Sequence, residues 1–323
     1  MKQKLTHYLI LLAMVIVVNF FLPRWMPGSP VRTIAGEDVG SLTAEERMGI
    51  LEAYDLDKPL YQQFLLYLRD LFTLNWGNSY SKRQPIFSLI GSRIGWTVLL
   101  AGGNLLISSV VGSLLGVYAA FRRRSKGGAA ALVASAAVTS LPPFWVAMIL
   151  LSVFGVRLGW FPLYGAYSMW GGYTGLAAVL DVLRHLVLPL ATMVLTSFMM
   201  FFTTARYGAL QVLGEDYIRM ARMRGIPEKR ITRSYVLRNT FIPVFTMVMM
   251  DAGYLLSGSV LIETVFSYPG LGTLMQEAVE ARDYPLIQYT FLVSSVLTIA
   301  ALLAADLLHG RVDPRMKEVA ELE

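Results

Sequence analysis

Six apolar runs separated by polar stretches dominate the chain. The first lies between Lys4 and Arg24, where 19 consecutive residues are uncharged. At about 1.5 Å per residue such a helix reaches roughly the ~30 Å of a bilayer's hydrocarbon. Further runs lie within 94–121, 127–156, 185–205, 239–262 and 284–305. The pattern predicts an all-α membrane protein with six transmembrane helices. The third run is broken at Ser140-Leu-Pro-Pro-Phe-Trp145, where Pro142 and Pro143 imply a kink or a short re-entrant bend. Only Asp251 interrupts the fifth.

The polar stretches orient these runs. Arg122-Arg-Arg-Ser-Lys126 and the eight Lys/Arg from Arg206 to Arg238 belong on the cytoplasmic side. Both termini are then cytoplasmic. Residues 24–93 carry eight basic and eight acidic side chains, but a loop beyond about 60 residues crosses largely regardless of charge. Within it Pro27-Gly-Ser-Pro30 reads as a turn and Ser41-Leu-Thr-Ala-Glu45 as a helix start. Residues 157–184, rich in Gly, Trp and Tyr, have the character of a headgroup-level segment. Residues 263–283 turn at Tyr268-Pro-Gly270 and continue as an amphipathic stretch to Arg282. Lys2 and Lys4 ahead of an apolar core also fit a signal peptide. Residues 20–27, however, offer no small-x-small cleavage site, so a retained anchor is expected. The expected organisation is an anchor helix and long extracytoplasmic segment over 1–93, a five-helix core over 94–310 and a cytoplasmic tail over 311–323. In the second span Gly102, Gly103, Gly112 and Gly116 permit close helix packing.

Composition agrees with this pattern: 55% of residues are hydrophobic, 15% are charged and mean hydropathy is +0.53. The net charge of +6 is gathered in short clusters between spans rather than in one stripe, so membrane topology accounts for it and nucleic acid is not an expected partner. The absence of cysteine excludes disulfides and thiolate chemistry. The three histidines, His7, His185 and His309, fall at different ends of spans and form no metal relay. No Gly-x-x-x-x-Gly-Lys-Ser/Thr, Gly-x-Ser-x-Gly or His-Glu-x-x-His string occurs, so neither ATP hydrolysis nor intramembrane hydrolysis is expected of this chain.

The most distinctive polar stretch runs from Glu215 to Arg230. Gly225 can take the left-handed conformation that closes a helix, and Pro227 suits the start of another. Two short helices are therefore predicted to meet at Gly225-Ile-Pro227. On the first, Tyr217, Met220, Ala221 and Arg224 share one face, and the small Ala221 would let another backbone approach. The spacing alone fits equally well an ordinary basic loop of positive-inside type.

Tyr217-Ile-Arg-Met-Ala-Arg-Met-Arg-Gly225, followed by Arg238-Asn-Thr-Phe-Ile-Pro243, resembles the EAA loop of the permeases of binding-protein-dependent ABC importers. Arg219 and Met220 stand where the general motif has Glu and its first Ala, and the interval to Ile242-Pro243 is long. Both departures resemble the dipeptide, oligopeptide and nickel branch. Pro27-Gly-Ser-Pro30, Leu56-Asp-Lys-Pro-Leu-Tyr-Gln-Gln63, Asn75-Trp-Gly-Asn-Ser79, Trp160-Phe-Pro162, His185-Leu-Val-Leu-Pro189, Glu263 to Gly272 and Asp313-Pro-Arg315 resemble that branch in the same order.

The resemblance implies a type I ABC importer permease fold with a cytoplasmic coupling helix, in a bacterial inner membrane. It implies a second homologous permease, two ATPase subunits that hold ATP and Mg, and an extracytoplasmic substrate-binding protein. The coupling residues it implies are Glu215, Asp216, Tyr217, Met220, Ala221, Arg222, Arg224 and Gly225. The expected substrate is a di- or oligopeptide, with a nickel complex as the other member of the branch. An ATP-independent channel or secondary transporter is the alternative, which leaves 215–243 without a role.

Two features bear on the path itself. Asp251 falls about ten residues into the fifth run, roughly 15 Å deep at ~1.5 Å per residue. A carboxylate at that depth costs about 2.5–3.5 kcal/mol on insertion scales and faces a cavity or a partner. Asp251 would either attract a cationic group of the substrate or hydrogen-bond a neighbouring helix. Pro142 and Pro143 would either line the path or mark a kink repaired by packing.

Overall fold

The computed structural model describes residues 2–25, 43–53, 55–123, 125–254 and 260–312. Pro27-Gly-Ser-Pro30, the first residues of Ser41–Glu45 and Asp313-Pro-Arg315 lie outside them. Among the described residues the regular structure is helical. The elements are α1 (Lys2–Trp25), α2 (Ala44–Ala53), α3 (Leu60–Phe72), α4 (Ile86–Phe121), α5 (Lys126–Thr139), α6 (Pro143–Leu150), α7 (Leu176–Gly214), α8 (Asp216–Met223), α9 (Glu228–Arg230), α10 (Leu237–Tyr254), α11 (Val260–Val265), α12 (Leu271–Glu280) and α13 (Tyr284–Val312). Wider π-helical turns extend α6 through Leu151–Arg157 and join α9 to α10 through Ile231–Val236.

Among the described residues four helices are long and apolar enough to cross a bilayer, at Thr6–Trp25, Ile86–Phe121, Leu176–Gly214 and Tyr284–Leu308. The third apolar run is two helices, α5 and α6. Pro142 holds an extended conformation (φ −57°, ψ 136°) and Pro143 takes the first helical position, where its missing N–H leaves no bond unmade. The fifth run is α10 followed by the short α11. Two spans begin earlier than hydropathy marks them: α4 starts at Ile86 rather than near 94, and α7 at Leu176 rather than 185. Helical hydrogen bonding continues past the hydrocarbon boundary, whereas the apolar pattern that locates a span stops there.

The chain divides into two compact units. One joins Met1–Thr97 with Pro269–Ile299, and the other joins Val98–Tyr268 with Ala300–Glu323. The first unit packs Phe20 of α1, Tyr67 of α3, Ile86 and Leu89 of α4, Leu274 and Ala278 of α12, and Leu286 and Tyr289 of α13 into one core. Trp76 stacks on Tyr289 at 4.9 Å. The buried Asp283 carboxylate accepts from Ser79 Oγ (2.5 Å), Ser81 N (2.9 Å) and Ser81 Oγ (2.9 Å). Charge-assisted bonds of this kind are about twice as strong as neutral ones, and here they tie two segments far apart in sequence.

The second unit is built on α7. Gly112 and Gly116 of α4 face it so closely that a Cβ on Gly112 would lie 2.6 Å from Phe198 O, and one on Gly116 would overlap Phe202 O. This is small-residue packing between membrane helices. Of the other two glycines, Gly103 faces the Leu190 side chain and Gly102 has nothing within 4 Å. Alongside, Asn104 Oδ1 accepts from Ser108 Oγ (2.8 Å) and Ser197 Oγ (2.9 Å), which satisfies polar groups that hydrocarbon could not.

Candidate functional site

The segment joining α7 to α10 folds as two helical pieces with a turn between them. α8 closes at Gly225, whose φ is +74°. Gly225 N donates to Arg222 O (2.9 Å) and Ile226 N to Ala221 O (3.1 Å), the two bonds of a Schellman cap. Ile226 packs against the same core as Ala221, supplying the apolar contact that accompanies such a cap. Pro227 then opens α9 in an extended conformation. Across the turn Arg222 Nε donates to Glu228 Oε1 at 2.7 Å.

α8 has two faces. Ile218 (0% exposed) and Ala221 (4%) are buried with Val117 and Ala120 of α4, Ala205, Ala209 and Val212 of α7, and Ile231 and Val236 beyond the turn. Burying Ile218 alone contributes about 1.5–3 kcal/mol. Tyr217, Met220 and Met223 are exposed, bordered by Arg219 and Arg224. Tyr217 stacks against Tyr235 at 6.4 Å, and partial burial followed by the nearby Glu215 carboxylate pushes its phenol above the ordinary value.

This corrects the expectation for Ala221. Ala221 does not share the exposed face of Tyr217 and Met220: it sits about 60° of helical rotation from Ile218 and is buried with it in the apolar cluster of its own chain. Glu215, Asp216, Tyr217, Met220, Arg222, Arg224 and Gly225 remain together on or beside the outward surface. Sequence reasoning missed Ile218, which anchors the helix, and Met223, which extends its outer apolar face. The pair Ile218/Ala221 at i, i+3 was the available signal. It also missed Glu228, whose opposite charge to Arg222 was visible six residues on.

Because a Cβ on Gly225 would meet nothing within 4 Å, substitutions there act through backbone strain alone, about 1–2 kcal/mol for an ordinary L-residue. Thermal unfolding should rank Gly225→Asn least destabilising, Gly225→Ala next and Gly225→Val most, since Asn tolerates this conformation and β-branched residues do not.

The residues proposed for the path lie elsewhere. Pro142 and Pro143 are exposed at the α5/α6 break, and Asp251 is half-buried on α10. Both α6 and α10 pack against α7. Among the described residues the Asp251 carboxylate has no hydrogen-bond or ion-pair partner. No group of three or more metal-binding side chains occurs among the described residues.

Helices long and apolar enough to cross a membrane, a broken apolar run beside them, and an amphipathic helix fastened to the ends of α4 and α7 make this an integral membrane protein with a folded segment between its spans. Residues 112–318 match the family model described as binding-protein-dependent transport system inner membrane component. The chain is 34% identical over 317 residues to the di/tripeptide transport system permease protein DppB of Pseudomonas aeruginosa (strain UCBPP-PA14), with 94% of each chain covered. It is 33% identical over 308 residues to the glutathione transport system permease protein GsiC of Escherichia coli (strain K12), covering 95% of this chain and 94% of that one. The chain belongs to the binding-protein-dependent ABC importer permeases, within their peptide/nickel family, and is a multi-pass protein of the bacterial inner membrane.

Proposed function

We propose that the chain imports short peptides as one of two permease subunits, with ATP and Mg held by two separate ATPase chains and substrate delivered by an extracytoplasmic binding protein. It crosses the membrane six times with both ends in the cytoplasm. The observation that carries the coupling reading is the two-faced α8. Ile218 and Ala221 fasten it to α4 and α7, while Tyr217, Met220 and Met223 are presented outward. Closure of the ATPases would move α8 as a rigid lever and shift a two-state equilibrium of the attached helices.

Peptides are favoured over a nickel complex because the two relatives are named for di/tripeptides and for glutathione. Asp251, and the backbone opened at Pro142 and Pro143, would line the path between the two permeases, with Asp251 attracting the amino group of a peptide.

The test is hydrolysis and uptake in liposomes that contain the chain with its ATPase, permease and binding-protein partners, offered peptides beside nickel complexes. Met220→Asp changes an exposed side chain, so the chain should fold while binding-protein-stimulated hydrolysis and uptake fall about tenfold or more, as for a buried interface residue. Uptake by the chain alone without ATP would instead make it a channel or secondary transporter.

A further inference from the structure

The loop between α6 and α7 carries no charge from Leu158 to Leu180, yet it is among the most exposed parts of the second unit. Trp170 is 98% and Met169 80% exposed, and Trp160, Tyr164 and Tyr173 are also on the surface. Such a surface would collapse inward if it faced only water. Instead it is held open. Ser168 N and Oγ both donate to the Asp181 carboxylate, at 2.6 and 2.8 Å, and the Arg184 guanidinium donates to Trp160 O at 3.0 Å. Gly165 N donates to Phe266 O at 3.0 Å.

These ties also set the loop's depth. Arg184 and Arg206 lie on one continuous helix, and their separation of about 22 residues corresponds to roughly 33 Å, close to the ~30 Å hydrocarbon thickness. With Arg206 at one boundary, Arg184 stands at the other; Arg157, the last residue of the π-helical extension of α6, is also exposed. Asp181 is one helical turn further out, so Ser168, and Trp170 two residues along, occupy the layer of lipid phosphates and carbonyls. The first two turns of α7 pass through the same layer and show an apolar stripe at Leu176, Val179, Leu180 and Leu183, all exposed. Aromatic side chains with one polar edge are suited to this layer, and the two arginines match lipid phosphate.

We propose that residues 158–175 form a preformed anchor that lies in the headgroup layer and fixes the depth of the outer ends of α6 and α7, its partner being the lipid surface rather than a protein. The anchor rests on the membrane-crossing reading of α7 and is independent of which solute is carried.

The chain has no cysteine, so Trp170→Cys and Met169→Cys each create a single site for a nitroxide label in the full chain. The label's depth is read in phosphatidylethanolamine/phosphatidylglycerol vesicles from its relative accessibility to oxygen and to a water-soluble nickel chelate. Leu106→Cys serves as the hydrocarbon reference and Lys229→Cys as the aqueous one. Labels at 169 and 170 should fall at the phosphate level, with chelate accessibility severalfold below the Lys229→Cys label and oxygen accessibility below the Leu106→Cys label. Full aqueous accessibility at both positions overturns the proposal, as does a depth equal to Leu106→Cys. So does an aqueous signal that is lost only when the binding protein is added, which would make the loop a protein-docking surface. Because both side chains are exposed, the substitutions remove no packing, and a misplaced label cannot be ascribed to an unfolded chain.

Discussion

Gly116→Val is expected to lower the apparent melting temperature of the detergent-solubilised chain by about 5–10 °C, in line with roughly 3 kcal/mol of destabilisation. The clash is with backbone. A Cβ at 116 would overlap Phe202 O and stand 3.0 Å from Arg206 N and 3.1 Å from Ala205 Cβ. Rotamer changes cannot relieve contacts with carbonyl and amide atoms, so α4 and α7 must separate. Separation would stretch the hydrogen bonds of Ser108 and Asn104 with Ser197, about two and three turns along α4, and polar groups left unpaired in hydrocarbon are costly. Gly102→Val is the control, because nothing lies within 4 Å of Gly102. Equal melting temperatures for the two variants would show that the close approach at Gly116 contributes nothing to stability.

Ala221→Asp should abolish coupled uptake by a different route from Met220→Asp. It places a carboxylate in a core of Ala205, Ala209, Ile218, Ile231 and Val236. An unpaired buried charge costs several kcal/mol, more than the ~1.5–3 kcal/mol with which Ile218 holds the helix. α8 should therefore detach from α4 and α7 while the spans stay inserted. The distinguishing measurement is trypsin cleavage at Arg219, Arg222 and Arg224 in the chain without partners. Cleavage should accelerate about tenfold or more in Ala221→Asp, in proportion to the opened population, and remain at the parental rate in Met220→Asp. Both variants should lose stimulated hydrolysis and uptake in the assembled transporter. Unchanged cleavage together with lost uptake in Ala221→Asp would return Ala221 to a partner interface and remove its role as an anchor.

The two positions are neighbours in sequence, and their difference illustrates where sequence reading stops. Met220 and Ala221 both lie near the face that includes Tyr217 and Arg224, and helical periodicity alone does not say which edge of that face is covered. The answer depends on α4 and α7, whose ends at Val117, Ala120, Ala205 and Ala209 meet α8 from positions about 100 and 10 residues away in the chain.

The sequence by itself determined the membrane class, the site of the break at Pro142-Pro143, the turn at Gly225-Ile-Pro227 and the amphipathic stretch that became α12. Each depends on local physics: the length of an apolar run, a missing N–H, an available left-handed conformation, a 3.6-residue period. Only the tertiary structure decided that Gly112 and Gly116, rather than Gly102, take the close helix approach, that Asp283 holds Ser79 and Ser81, and that Ala221 faces its own core. It also decided that residues 269–299 complete a unit with 1–97. These depend on which distant segments share a surface, and that choice is made by the packing of all the helices together, which no local pattern in the chain records.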